Sequence, residues 1–133
     1  MIVLDTHTAL WLLNDDRTLG TQSRSAIAAA RPDNLLAISA ISFWEIALLI
    51  AKGRLDLEMQ PAELRRKFLD TGLVELPLTG DIAMLAVELD NLHNDPADRF
   101  IAATVIAHEA TLLTADARLL NWRHKMNRQD ATK

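Results

Sequence analysis

Three apolar residues, Ile2, Val3 and Leu4, run without a break into Asp5-Thr6, and an apolar segment at helical spacing (Ala9, Leu10, Leu12, Leu13) follows at once. The first run is short and β-branched, the second is helical in period, so the pair reads as a buried strand feeding directly into a helix. The same alternation returns along the chain. Leu35–Ser39 follows the turn Pro32-Asp33-Asn34, Leu73–Leu76 follows Gly72, and Thr111–Thr114 follows another helical stretch, giving three more short strands.

Helices are expected between them. Thr21–Arg31 has helical composition, and Ser42–Gly53 has a serine at an N-cap position, Glu45 three residues later and a Lys-Gly ending. That helix is apolar almost all round, which predicts burial. Pro61 opens a charged helix over Ala62–Asp70, Thr79-Gly80-Asp81 caps one over Ile82–Leu92, and Asp95-Pro96 begins one that runs to His108. Asp116 opens a last short helix ending at Trp122. Strands alternating with helices imply an α/β fold, a parallel sheet with helices on both faces. Residues 1–122 form one such domain; Arg123–Lys133 is polar, without periodicity, and is expected to be a mobile tail.

Composition narrows the function. With 133 residues, half of them apolar, the chain suits a single domain with one sizeable core. The absence of cysteine excludes disulfides, thiolate zinc sites and thiol catalysis. The longest apolar run, Leu35–Ala51, is interrupted by Ser39, Ser42 and Glu45 and does not suit a membrane span; the three-residue opening run does not suit a signal peptide. A cytoplasmic protein is expected. A net charge of −4 is not that of a protein that holds nucleic acid by electrostatics alone, so action on nucleic acid would need metal ions to offset charge.

Four acids stand out by position: Asp5 after the first strand, Glu45 in the apolar helix, Asp98 at the start of another, and Asp116 just past the fourth strand. Each has a plain alternative reading as a helix cap or first-turn acid, Glu45 as the capping-box partner of Ser42. A carboxylate in an apolar helix nevertheless demands compensation. Acids gathered at one end of a sheet repel unless a hard cation neutralises them, and an all-oxygen set with no paired histidines favours Mg²⁺ or Mn²⁺ over zinc.

The order and spacing of four motifs resemble the PIN domain. These are Asp5-Thr6 after an apolar strand, Trp44-Glu45-Ile46, the run His93-Asn94-Asp95-Pro96-Ala97-Asp98-Arg99-Phe100-Ile101-Ala102-Ala103, and Leu112-Leu113-Thr114-Ala115-Asp116. More closely they resemble the small VapC-type toxins of bacterial toxin–antitoxin pairs. The match extends from Met1 to about Trp122. It implies a three-layer fold around a parallel sheet of four or five strands, and a metal-dependent endoribonuclease with Asp5, Glu45, Asp98 and Asp116 as its acidic quartet. Asp5 and Asp98 are the implied main ligands, and Thr6 and Thr114 the hydroxyls beside them. Asp95 reads as a cap. Arg99 reads as pairing with a carboxylate or touching a phosphate.

The resemblance further implies an RNA substrate, a VapB-like antitoxin and a homodimer. Family members usually close with a fifth strand, whereas Arg123–Asp130 holds one apolar residue, so the resemblance leaves that strand degenerate or missing. A PIN-fold module that binds RNA or antitoxin without cutting remains the alternative. A receiver-like phosphoacceptor would need an acidic pair before the acceptor strand and a late lysine, neither of which is present. His7, His93, His108 and His124 show no ligand pair at helical spacing and are expected to have no acid–base role. Trp11, Trp44 and Trp122 read as core or interface anchors rather than platforms for bases, and Arg17, Arg24, Lys52, Arg54, Arg65, Arg66 and Lys67 as candidates for a phosphate-tracking rim.

Overall fold

The structure, a computed structural model, describes residues Met1–Lys133. In chain order its elements are β1 (Ile2–Leu4), α1 (Thr6–Leu13), α2 (Thr21–Ala30), β2 (Leu36–Ser39), α3 (Ala40–Ala51), α4 (Pro61–Asp70), β3 (Val74–Leu76), α5 (Gly80–Glu88), α6 (Pro96–Ala107), β4 (Thr111–Thr114), α7 (Ala117–Leu120) and β5 (Asn127–Asp130). The five strands form one parallel sheet in the order β3-β2-β1-β4-β5. β1 lies at the centre. The chain builds outward from it through β2 and β3, then returns to its other side with β4, so the topology reverses between β1 and β4. In open parallel sheets, ligands bind at such a reversal, beyond the carboxyl ends of the strands.

Alternation along the strands sends side chains into two apolar layers. Val3, Ala37 and Leu112 face a core closed by α5, α6 and α7, with Ile82, Ala86, Ile101, Val105 and Leu119. Leu4, Leu36, Ile38 and Leu113 face the other, with Leu10 of α1, Ile27 of α2, Ile46 of α3 and Phe68 of α4. Ala102 and Ala103, wholly buried, let α6 lie close beneath the sheet.

The C-terminal stretch differs from the expectation of a mobile tail. β5 pairs with β4 from Thr111↔Asn127 to Thr114↔Asp130. Its own side chains are polar; the strand is held by ladder hydrogen bonds and by one apolar residue at each end. Met126 enters one core and Ala131 the other. Arg128 adds hydrogen bonds from its guanidinium to the Leu119 and His124 carbonyls (2.8 and 3.0 Å). Gly20 admits this stretch, since its N–H donates to the Ala131 carbonyl and a Cβ there would collide with the Lys133 backbone.

Two helices also depart from the sequence reading. α5 stops at Glu88 rather than Leu92, before a turn in which Asn91 takes a φ of 60°. α3 is capped by Ser39, whose hydroxyl accepts from the Ile41 N–H (3.2 Å), and not by Ser42. Nor is α3 buried all round. Only Ser42 and Ile46 are buried along it, and Trp44 is 49% exposed.

Candidate active site

One pocket of about 290 Å³ opens at the carboxyl ends of β1 and β4, and Asp5, Glu45, Asp98 and Asp116 all line it. Backbone geometry delivers each of them. Asp5 leaves β1 as the N-cap of α1, and Asp116 leaves β4 as the N-cap of α7. Glu45 comes from the second turn of α3 and Asp98 from the first turn of α6. Asp95 is the α6 cap, its Oδ1 accepting from the Ala97 N–H (3.1 Å), and it also lines the pocket.

Capping and site membership coexist in the same side chains. Asp5 Oδ1 accepts from the Thr8 N–H (2.8 Å) while Oδ2 accepts from the Thr114 hydroxyl. Both hydrogen bonds are buried, so this carboxylate is fixed in position before any ligand arrives. Asp116 Oδ1 accepts from the Arg118 N–H (2.8 Å), and its Oδ2 accepts from Arg118 Nη2 (2.8 Å). The Arg118 guanidinium holds the Asp116 carboxyl below the usual carboxylate range.

Glu45 has no capping duty, because Ser42 sits inside α3 and its hydroxyl accepts from Thr6 instead (2.9 Å). Burial pushes the Glu45 carboxyl up; Asp95 and Asp5 push the same way, and the nearby Thr6 hydroxyl and His7 oppose. Asp98 is pushed up to about 6, first by burial and then by Asp95 and Asp116, against the opposing pull of His93.

Sequence reasoning set His93 aside, and the structure brings it in. His93 Nε2 lies 2.7 Å from Asp98 Oδ2, and ligand atoms of His93, Asp98 and Asp116 fall within 4.8 Å of one another. Asp5 and Glu45 share the pocket without joining that tighter group. The signal available in sequence was the position of His93 five residues before Asp98, at the mouth of α6 rather than within it. Arg118 was also missed: its Nη2 reaches Asp98 Oδ2 at 3.6 Å.

Arg99 is elsewhere. Its guanidinium donates to five backbone carbonyls, those of Ala86, Val87, Leu89, Leu92 and His93. It closes the end of α5 and holds the segment carrying His93, and pairs with no carboxylate.

The donor set suits a hard divalent cation: five carboxylates, Asp5, Glu45, Asp95, Asp98 and Asp116, and the His7 imidazole line a pocket whose one arginine cannot offset them all, and His93 adjoins it through Asp98. Asp5, held by two buried hydrogen bonds, supplies a fixed ligand oxygen.

The PIN domain profile matches residues 2–125 of the chain. The chain belongs to the PIN domain family. It is 35% identical over 124 residues to Ribonuclease VapC22 of Mycobacterium tuberculosis, covering 92% of each protein. Among solved structures, it superposes on a chain of VapBC2 from Rickettsia felis, crystallised with a promoter DNA fragment, with a TM-score of 0.73 at 20% identity, covering 97% of this chain and 98% of that one. VapBC-1 of nontypeable Haemophilus influenzae aligns over the whole of both chains with a TM-score of 0.61 at 22% identity. At these identities the solved structures speak for the PIN fold, and the curated relative carries the family membership.

Proposed function

We propose that this PIN domain is an endoribonuclease working with Mg²⁺ or Mn²⁺, and the toxin of a toxin–antitoxin pair. The observation that carries the reading is the convergence of Asp5, Glu45, Asp98 and Asp116 on one pocket, in a chain 35% identical to a VapC ribonuclease. Asp5 and Asp98 are the main ligands for the ion, with Glu45 and Asp116 completing the set. A bound divalent ion would supply Lewis-acid chemistry there, favouring attack by water and offsetting charge on the scissile phosphate.

The chain's own residues do the positioning. Thr114 and the Thr8 N–H fix both oxygens of Asp5. Thr6 ties the start of α1 to α3 through Ser42, setting Glu45 opposite Asp5. Burial raises the Glu45 carboxyl, a cost that a bound cation would offset. Arg118, with its side chain 57% exposed, can turn from Asp98 and Asp116 towards a substrate phosphate. Water, rather than a protein group or the ribose 2′-hydroxyl, attacks the phosphorus and the P–O3′ bond breaks, the 3′-oxygen leaving with a proton, so products carry 5′-phosphate and 3′-hydroxyl ends.

A VapB-like antitoxin and a second toxin subunit are the protein partners. The solved neighbours are toxin–antitoxin assemblies, and Met84 and Val87 on α5, 62% and 80% exposed, leave apolar surface for such contacts. No helix is long and apolar enough to cross a membrane. An RNA substrate and a protein antitoxin both fit a cytoplasmic location.

The test is incubation of partner-free protein with total cellular RNA in Mg²⁺ or Mn²⁺, with EDTA and Asp98→Asn as controls. Discrete metal-dependent fragments with 5′-phosphate ends, missing in both controls, are expected. Metal binding without cleavage of any RNA would overturn the nuclease reading in favour of a silent binding module.

A further inference from the structure

A second groove leaves the acidic pocket along the outer face of α3. It has a volume of about 350 Å³ and shares Glu45 and Asp95 with the pocket, so the two adjoin. Trp44, read from sequence as a core or interface anchor, is 49% exposed and lines this groove, one residue before Glu45. Leu48 and Leu49 form its apolar floor, and Lys52 and Arg54 close the far end. Local folding sets this order. Trp44, Leu48 and Lys52 follow one another at four-residue spacing on a single helix face. Gly53, at a φ of 67°, then reverses the chain so that the Arg54 N–H bonds back to the Leu49 carbonyl (2.9 Å). Neither Lys52 nor Arg54 takes part in an ion pair, whereas Arg24 and Arg65 are paired with Asp15 and Glu75.

We propose that this groove holds the single-stranded RNA flanking the scissile phosphate, with a base stacked on Trp44 and the next phosphates on Lys52 and Arg54. The proposal rests on the ribonuclease reading and names how that site receives its substrate. A strand whose phosphate sits among the acids must leave over a neighbouring surface, and this groove begins there. Its chemistry suits that occupant: an aromatic face for a base, then unpaired cations for the backbone, about 12 Å on from Trp44 along the helix. The cations stand at the end remote from the carboxylates, where no bound ion would already offset the phosphates. An exposed tryptophan stacks on any base, so the groove supplies affinity and orientation while leaving sequence choice to other contacts.

The test uses the full chain. In an Asp98→Asn background, which prevents cutting, binding of a fluorescent single-stranded RNA of randomised sequence is measured against salt. Trp44→Ala is expected to weaken binding about tenfold or more, and Trp44→Phe to retain most of it. Lys52→Ala with Arg54→Ala should lower the slope of log affinity against log salt by about two. With the Asp98 parent and an RNA it cuts, Trp44→Ala should raise KM far more than it lowers kcat, with Mn²⁺ affinity unchanged.

Parent-like RNA affinity and KM in Trp44→Ala, beside normal cleavage by the parent, would overturn this proposal and leave the nuclease intact. Absence of RNA binding and cutting in the parent itself would overturn both. A change from dimer to monomer in sedimentation would assign the groove to a second copy. Loss of antitoxin binding alone would assign it to the antitoxin. Either assignment overturns the proposal.

Discussion

Asp5 and Asp98 face the same pocket from opposite sides of the topological reversal, yet the protein treats them differently. Asp5 is 6% exposed, with each oxygen fixed by a buried donor. Asp98 is nearly as enclosed, but its neighbours are His93, two further carboxylates and the outer reach of Arg118. One corner is complete in the folded chain. The other is left crowded with like charge that a bound cation would relieve. Such division of labour lets a site be rigid on one side and responsive on the other, with folding stability exchanged for ion affinity at a single carboxyl.

The largest effect that would break this contrast is on catalysis. Asp98→Asn is expected to cut RNA cleavage at least about a hundredfold while raising the metal-free melting temperature near neutral pH, since it removes charge from the crowded corner. Unfolding of that variant would show Asp98 to be a structural acid.

The pH response comes next. Asp98 is held at about 6 against an ordinary value of 3.8, and Glu45 is raised too. A carboxyl raised on folding contributes stability that is whole below its ordinary value and is lost as pH rises through its folded value. Metal-free melting temperature should therefore fall as pH climbs from about 4 to about 6, and saturating Mg²⁺ should reverse the fall. Asp116 and Glu75, lowered by their arginines, carry the opposite sign, but their transitions lie in a more acidic range. In Asp98→Asn the slope should flatten.

Thr114→Val probes the complete corner. It strips a buried donor from Asp5, with an expected loss of about 1–3 kcal/mol by urea unfolding and a roughly tenfold lower cleavage rate. The smallest effect belongs to Arg118→Ala. Its exposed pairing is worth under about 1 kcal/mol, and calorimetry should show tighter Mn²⁺ binding because no guanidinium competes for Asp98 and Asp116.

The four apolar strands were legible because each is a short buried run between turn residues, and the acids were legible because strand ends and helix starts fix where a side chain emerges. β5 was not. Asn127–Asp130 carries no pattern, and its anchors, Met126 and Ala131, lie just outside it and enter different cores. Ser42 misled for a related reason: a serine before an apolar run looks like a cap, and only the packing of α1 against α3 shows its hydroxyl taken by Thr6. His93 was legible only in its place five residues before Asp98, a weak signal on its own, and Arg118 was invisible as a partner of Asp98 because that pairing joins α7 to α6, which no local spacing encodes. Arg99, read as an ion-pair or phosphate residue, serves backbone carbonyls whose convergence depends on where α5 ends.

The polar character of β5 has a further consequence. One border of the sheet is a strand of asparagine, arginine, glutamine and aspartate; the other is the three-residue β3, whose central Glu75 is clasped by Arg65. Both borders discourage a foreign strand from annealing to them. Two copies of this molecule, or this molecule and another, are therefore expected to meet through helices rather than by extending the sheet.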